Sequence, residues 1–520
     1  MRHGGRAGGR FGKSGMTRRD FLQRLGIAGG SSMVMSAMSA WDLMGAPAGP
    51  RPNWSGDAPD DARVIVLGAG LTGLIVGYEL GKLGYDFQVL EARDRVGGVS
   101  HAVKRGHTET DLDGQTQVCE FDEGQYLNGG PWRIPHVHTS VMDYCQEMGV
   151  PLEVFIDEHE ESLLYFEGEE YGEFSGRRLT MRELAADVRG YSSELLAKAA
   201  DQGDIDLAMD EEDKERLLQY LVREGYLETP DYVYRGGAHR GEDHDPYDFG
   251  ALLSTGLATR LQSVQGGSMR VPVFQPAGGM DELPKAIART MPERITFQAE
   301  VREIRQTEDE VRVVYRDRES GEEREITGDY VVSCIPISVL RDVEVNLSPE
   351  MMEMVQAVGY SGSAKIGVQM NRRFWEEDDG IFGGRVYTNL PLGQYAFPST
   401  GYYGQKGVIL GFYGNGATEG LIDRTNEERI EHVVANASKF HPQFREEFDN
   451  GYAVFWEKIE FSRGAWASGG GTLRAEQLRK PDGRIFIGCA AASTSAAWME
   501  GAVSAAWNAI DSVHERASVD

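Results

Sequence analysis

The stretch from Arg63 to Gly98, RVIVLGAGLTGLIVGYELGKLGYDFQVLEARDRVGG, constrains the fold of this chain more than any other. A short apolar strand, Val64 to Leu67, runs into Gly68-x-Gly70-x-x-Gly73. Helical sequence follows, then a second strand ending at Glu91. Gly68 permits a tight turn, Gly70 lets the backbone approach a pyrophosphate, and Gly73 lets helix and strand pack closely. The helix begins at Leu71 and Thr72, where N–H groups and a partial positive charge face bound phosphates. Glu91, 18 residues past Gly73, is placed to bond a ribose hydroxyl. A lone glycine motif is weak, and an ordinary βα turn is the bland alternative. Strand, glycines, helix, second strand and acid in this order predict a dinucleotide-binding βαβ unit.

A chain of 520 residues suits two or three domains sharing a large core. Its 53 basic and 82 acidic residues leave a formal charge of −29, which argues against nucleic acid and anionic membrane surfaces as partners. The four cysteines, Cys119, Cys145, Cys334 and Cys489, lack zinc-ligand spacing and imply no disulfide framework. Cys334 sits in the apolar run YVVSCIP and reads as a buried strand residue. Thr17-Arg18-Arg19-Asp20-Phe21-Leu22 reads as a twin-arginine export signal, with a disordered basic tail as the alternative. A mildly apolar stretch, Leu25 to Trp41, follows, and Ala46-Pro47-Ala48 offers small residues for cleavage. No later run of about 18 apolar residues occurs, so no stable membrane insertion is expected.

Further along, a helix is expected around Thr139 to Met148. Residues 180–262 carry helical spacing, with Leu217, Leu218, Tyr220 and Leu221 on an amphipathic stretch. Strands are expected at Ile295–Val301, Val311–Tyr315, Tyr330–Ile335 and Arg484–Gly488, and a closing helix at about Met499–Val513.

Four patches carry a resemblance. EARDRVGG resembles the E-x-A/R-x-R-x-G-G continuation of FAD-dependent amine and amino-acid oxidases, which implies FAD and contacts from Ala92, Arg93, Gly97 and Gly98. Asn128-Gly-Gly130-Pro131-Trp132-Arg133-Ile-Pro135 is similar to the GPMR(I/L)P segment of flavin L-amino-acid oxidases. There the resemblance implies that Arg133 clamps the substrate carboxylate, a task suited to a fork-shaped, permanently charged guanidinium. The alternative is an arginine paired with a structural acid or with the flavin phosphates. Ser363–Ile366 with Arg373–Gly384 resembles GTKIF…KFWEDDGIHGG of the same family, and Lys365 matches the lysine that holds a water beside flavin N5. Ile487-Gly488-Cys489-Ala490 and Trp498-Met499-Glu500-Gly501-Ala502-Val503 resemble the family's FAGE…EGAV ending. Trp498 matches one wall of an aromatic cage. For the other wall and substrate contacts the candidates are Trp466, Tyr413 and Phe412. Chemistry favours Tyr413 and direct position counting favours Phe412. Val301 is a further cofactor candidate.

The chain departs from the pattern at Cys489, where a glutamate is usual, and at Val99, where an arginine is. The family's gating histidine has no clear counterpart; His239 and His244 are substitutes only. Ser468–Gly471 holds no cysteine, so non-covalent FAD is expected.

The resemblance implies an α/β fold: a glutathione-reductase-like, Rossmann-type FAD domain with a mixed-sheet substrate domain and a helical insertion. The expected division is a signal segment over 1–48, an FAD domain over 60–105, 278–350 and 475–520, a substrate domain over 106–170, 265–277 and 351–474, and an insertion over 171–264. The implied reaction is oxidative deamination of an L-amino acid. Hydride passes from Cα to the flavin, water releases the 2-oxo acid and ammonia, and oxygen becomes hydrogen peroxide. An amine oxidase or dehydrogenase and a non-enzymatic FAD-binding partner protein are the alternatives. A homodimer stays open, as does a periplasmic or secreted location.

Overall fold

Both faces of the first strand are buried, and that fixes its place at the centre of a layered domain. The computed structural model describes residues 48–54, 58–59, 62–205, 209–236, 244–258 and 272–518. The twin-arginine motif, the stretch Leu25–Trp41, Ala46, Pro47 and His239 lie outside these. Strand Arg63–Leu67 pairs in parallel with Asp86–Leu90 on one side and Tyr330–Ser333 on the other. Ile295–Thr296 and Ile485–Ile487 complete a five-stranded parallel sheet. Side chains alternate across it. Val64 and Val66 pack under the helices Leu71–Lys82 and Met499–Ala517, while Ile65 and Leu67 pack on Ile304, Val313 and Val331 beneath a four-stranded sheet. Each such side chain contributes about 1.5–3 kcal/mol of apolar burial. This is a doubly covered parallel sheet, which accounts for the unbroken apolar run VIVL.

A second core lies around a seven-stranded sheet. Its long members are Ala364–Met370, Gly407–Gly414 and Phe448–Phe455, with Ala364–Met370 central and antiparallel to both neighbours. Arg385–Thr388 and Leu163–Tyr165 extend it. Helices Met181–Gln202, Glu211–Gly225 and Phe249–Ser254 form a separate helical element. Thr180 and Glu183 close a capping box at the start of the first. Among the described residues no helix is long and apolar enough to cross a membrane.

Two sequence expectations change. Ile295–Val301 is not one strand. Gln298 takes a positive φ of 56°, and the chain leaves the parallel sheet after Thr296 to enter the four-stranded sheet at Ala299. Cys334 lies just past the strand Tyr330–Ser333 and is half-buried rather than part of it.

Candidate active site

The glycine turn is built by close approach of backbone to backbone. Gly68 has φ +97° and its N–H donates to Leu90 O at 2.7 Å. A Cβ on Gly73 would stand 2.0 Å from Gly68 O, so only glycine brings helix Leu71–Lys82 this near the strand. A Cβ on Gly70 meets nothing within 4 Å, because that position faces a cleft. Glu91 accepts from Ala69 N at 2.7 Å and from Arg93 N at 2.9 Å, so one carboxylate ties the turn to the second strand. Arg95 Nη1 donates to Gly98 O at 2.9 Å and shapes the Gly97–Gly98 corner, which bridges back to Gly70.

The cleft runs from this turn towards the second core. Gly68, Gly70, Leu71, Thr72, Glu91, Ala92 and Arg93 line its first end. Gly97, Gly98, Gly130, Pro131 and Val301 follow. Cys489, Met499, Ala502, Trp498, Trp466 and Tyr413 also border it. Helices Leu71–Lys82 and Met499–Ala517 both begin at the cleft, and neither has a side-chain cap. Their first N–H groups therefore offer two partial positive charges to a ligand. Trp498 Nε1 is buried without a protein partner among the described residues. Glycine cradle, uncapped helix starts and unpaired indole donor together fit an elongated flavin dinucleotide.

Gly130 lies where a Cβ would be 1.8 Å from Val99 O. Around it the carbonyls are held in turn. Trp456 Nε1 donates to Gly129 O at 2.8 Å. Lys365 Nζ donates to Asn128 O at 3.0 Å and also to Gly130 O. Lys365 is 1% exposed, with Tyr413 4.5 Å from its nitrogen to the ring centroid. Burial, and then the charge of Arg133, push its pKa well below the ordinary value, favouring the neutral amine. Its two N–H groups are then both used on carbonyls, and its lone pair remains.

Arg133 follows this loop. Its side chain is 10% exposed and lies 4.8 Å above Trp132 and 5.8 Å from Trp498, centre to centre. Asp157 Oδ1 is 3.8 Å from its Nε, beyond hydrogen-bond range. Arg385 Nη2 holds that carboxylate at both oxygens, reaching Oδ2 at 2.6 Å, and Arg385 Nη1 donates to Gln394 Oε1 at 2.7 Å. Burial opposes ionisation of Asp157, but Arg133 and Arg385 outweigh it and hold the carboxyl below the usual range.

The structure separates Tyr413 from Phe412. Strand Gly407–Gly414 pairs Phe412 with Ile366 and Leu410 with Gly367, so Gly411 is an extra residue in a β-bulge. The bulge re-aims the strand. Phe412 is fully buried in the second core, away from the cleft, and Tyr413 lines the cleft and meets Trp132 edge to face at 5.8 Å. Position counting therefore points to the wrong aromatic. Gly488 is also behind the wall rather than in it; a Cβ there would meet Val332 at 2.7 Å. Gly73, Trp132, Arg133 and Lys365 shape the cleft without forming its lining. His244 is in the helical element, 2.7 Å from Asp187, and does not line the cleft. Sequence reasoning missed Trp456, Arg95, Asp157 and Arg385. The second arginine of EARDRVGG was a readable signal for Arg95; Asp157 and Arg385 sit in stretches with no motif.

A family model described as flavin containing amine oxidoreductase matches residues 71–514. The chain is 27% identical to an L-amino-acid oxidase of Vipera ammodytes ammodytes over 462 residues, covering 85% of this chain and 90% of that one. It is 27% identical to L-amino acid oxidase Bs29 of Bothriechis schlegelii, covering 82% and 84%. Among solved structures it resembles cyclohexylamine oxidase from Brevibacterium oxydans IH-35A, with TM-score 0.59, 17% identity, and 88% and 99% of the two chains covered. Putrescine oxidase bound to putrescine aligns with TM-score 0.57 at 19% identity, covering 87% and 99%. These structures share the fold.

Proposed function

This chain belongs to the flavin-containing amine oxidoreductases, and from that premise we propose that it is an L-amino-acid oxidase, converting an L-amino acid, water and oxygen to a 2-oxo acid, ammonia and hydrogen peroxide. One observation carries the choice of an amino acid over a simple amine. Arg133 is buried beside the cleft, and among the described residues the only acid paired with it, Asp157, is already committed to Arg385. A buried guanidinium without its own counter-ion is costly, and a substrate carboxylate supplies that ion.

FAD held in this cleft would supply a two-electron acceptor for the hydride of the substrate Cα and a route for those electrons to oxygen. The chain's residues do the rest. The glycine turn and the two helix starts hold the dinucleotide without a covalent link. Arg133 fixes the substrate carboxylate, and Trp498, Trp466 and Tyr413 wall the amine. An aromatic, water-poor wall disfavours the ammonium form, and a neutral amine is the form that can lose hydride. Fixed orientation supplies much of the rate effect. The Lys365 lone pair can accept a hydrogen bond from a water beside the reacting centre, steadying it for the oxygen step or for release of ammonia. The twin-arginine motif at Arg18-Arg19 supports export after folding, to the periplasm or beyond.

The test is anaerobic. The yellow protein is mixed with L-amino acids and with their decarboxylated amines, and flavin absorbance is followed. Bleaching by an amino acid but not by its amine is expected. Bleaching by the amine alone overturns the reading and gives Arg133 a structural role.

A further inference from the structure

The site holds a second guanidinium that no substrate α-carboxylate needs. Arg385, on strand Arg385–Thr388, lies 5.4 Å from the Trp132 ring, and Arg133 lies 4.8 Å from the same ring. Between the two arginines stands Asp157, its side chain 6% exposed. It binds Arg385 at both oxygens and is 3.8 Å from Arg133. Two cations and one anion leave a charge of +1, which a single substrate carboxylate neutralises. A dicarboxylic amino acid would bring −2 to that +1 and would set its side-chain carboxylate against Asp157 in a buried setting. Like charges at such sites reject the wrong partner strongly. Of the outer neighbours, Glu158 adds a negative charge towards Arg385 but stands on the exposed side, where water screens it and Tyr387 Oη donates to it at 2.9 Å. Within the buried cluster Lys365 lies in surroundings that favour its neutral form, so the buried count stays +1.

We propose that Asp157 is a specificity-determining residue: its carboxylate fills the Arg385 guanidinium where a substrate side-chain carboxylate would otherwise bind, so the enzyme takes neutral L-amino acids and excludes L-glutamate and L-aspartate. The inference rests on the amino-acid oxidase reading. Removing Asp157 raises the local charge to +2 and opens a fork-shaped carboxylate site within one carboxylate of Arg133. Asp157 does not itself line the cleft; it acts by occupying Arg385.

The experiment compares kcat/KM for L-leucine, L-phenylalanine, L-glutamate and L-aspartate in the flavin-loaded wild type, D157A, D157N and D157A/R385L. The acid-to-neutral ratio should rise about 100-fold in D157A, the scale on which sites discriminate through buried polar groups left paired or unpaired. D157N, which drops the charge but keeps the volume, should show a smaller rise in the same direction. Added formate should reverse the D157A gain by refilling the vacated position, a response that a merely structural residue would not give. D157A/R385L should lose the gain. An unchanged ratio in both D157A and D157N, with the wild type oxidising neutral amino acids, overturns this inference alone. If D157A does not retain flavin, the ratio in D157N decides. A wild type that prefers L-glutamate also overturns it. A wild-type flavin bleached only by amines overturns the parent reading first.

Discussion

Replacing Gly73 by alanine should strip the cofactor from a protein that otherwise folds. The added Cβ would stand 2.0 Å from Gly68 O, against an ordinary contact beginning near 3.4 Å, so about 1.4 Å of separation must be found (3.4 − 2.0). Gly68 cannot supply it. Its φ of +97° and its bond to Leu90 O at 2.7 Å lock it to the strand. The start of helix Leu71–Lys82 must therefore retreat. A phosphate bond of about 2.9 Å from this helix start would stretch to about 4.3 Å, which is no longer a hydrogen bond. Two such charge-assisted bonds, at about 1.5–3 kcal/mol each, amount to about 3–6 kcal/mol. FAD should then bind about 100-fold to 10,000-fold more weakly. The assay is flavin content on purification, followed by fluorescence titration of the apoprotein. Gly70→Ala is the contrast. Its Cβ meets no protein atom within 4 Å, so apoprotein Tm should stay put while FAD affinity falls. A G73A protein that purifies with full flavin and binds it within threefold of wild type would show that this backbone contact does not set the position of the helix start.

Arg133→Ala should raise KM for an amino acid by about 100-fold while flavin content is kept, because a charge-assisted fork to the carboxylate is lost; steady-state kinetics check it. Lys365→Met should slow turnover and leave flavin bound, and stopped-flow separation of reduction from reoxidation shows which half depends on the amine. Phe412→Leu should cost about 1 kcal/mol of stability with little kinetic effect, since that ring packs in the second core, whereas Tyr413→Phe should change kinetics more than Tm. Acid should destabilise the fold through His107, which is half-buried against the buried His101 with Nε2 atoms 3.3 Å apart. Burial first, then Arg95, lower its pKa from 6.5 to about 4, so the unfolded chain binds the extra proton. Stability is therefore intact above pH 6.5 and is lost as pH falls towards 4, by about 3 kcal/mol. Urea midpoints at pH 7 and pH 4 measure this loss, and His107→Gln should shrink it.

The cofactor half of the site was legible because close backbone approach leaves few sequence solutions. Gly73 and Gly130 sit where a side chain would strike backbone, and Gly68 takes a φ of +97° that L side chains rarely adopt, so their spacing carries geometry directly. The aromatic half was less legible. A one-residue bulge at Gly411 reverses which of Phe412 and Tyr413 faces the cleft, and strand alternation cannot reveal a bulge. Charge partners were least legible. Asp157 and Arg385 are 228 residues apart and meet because Gly384 N donates to Ile156 O at 2.8 Å, just ahead of the parallel pairing of Leu163–Tyr165 with Arg385–Thr388. No local period or motif encodes that meeting.

The loop Asn128–Gly130 connects these halves physically. Its backbone carbonyls are taken by Lys365 and Trp456, its Gly129 N–H by His101 O, and the Asn128 side chain by Met280 N. Four separated stretches of chain therefore fix one short loop, and Arg133 leaves that loop only three residues later. A loop so held has little room to drift, so if Arg133 takes a substrate carboxylate as proposed, the cost of ordering the loop is met during folding rather than at binding. The same bonding gives Lys365 a task before any chemistry begins. An ammonium would spend two of its three N–H groups on the loop and face Arg133 with a like charge. A neutral amine satisfies the same carbonyls, removes that repulsion, and leaves its lone pair as the feature a water can use. The burial that lowers the Lys365 pKa thus keeps the loop ahead of Arg133 rigid, and under the proposed reaction the same burial would serve the placement of that water.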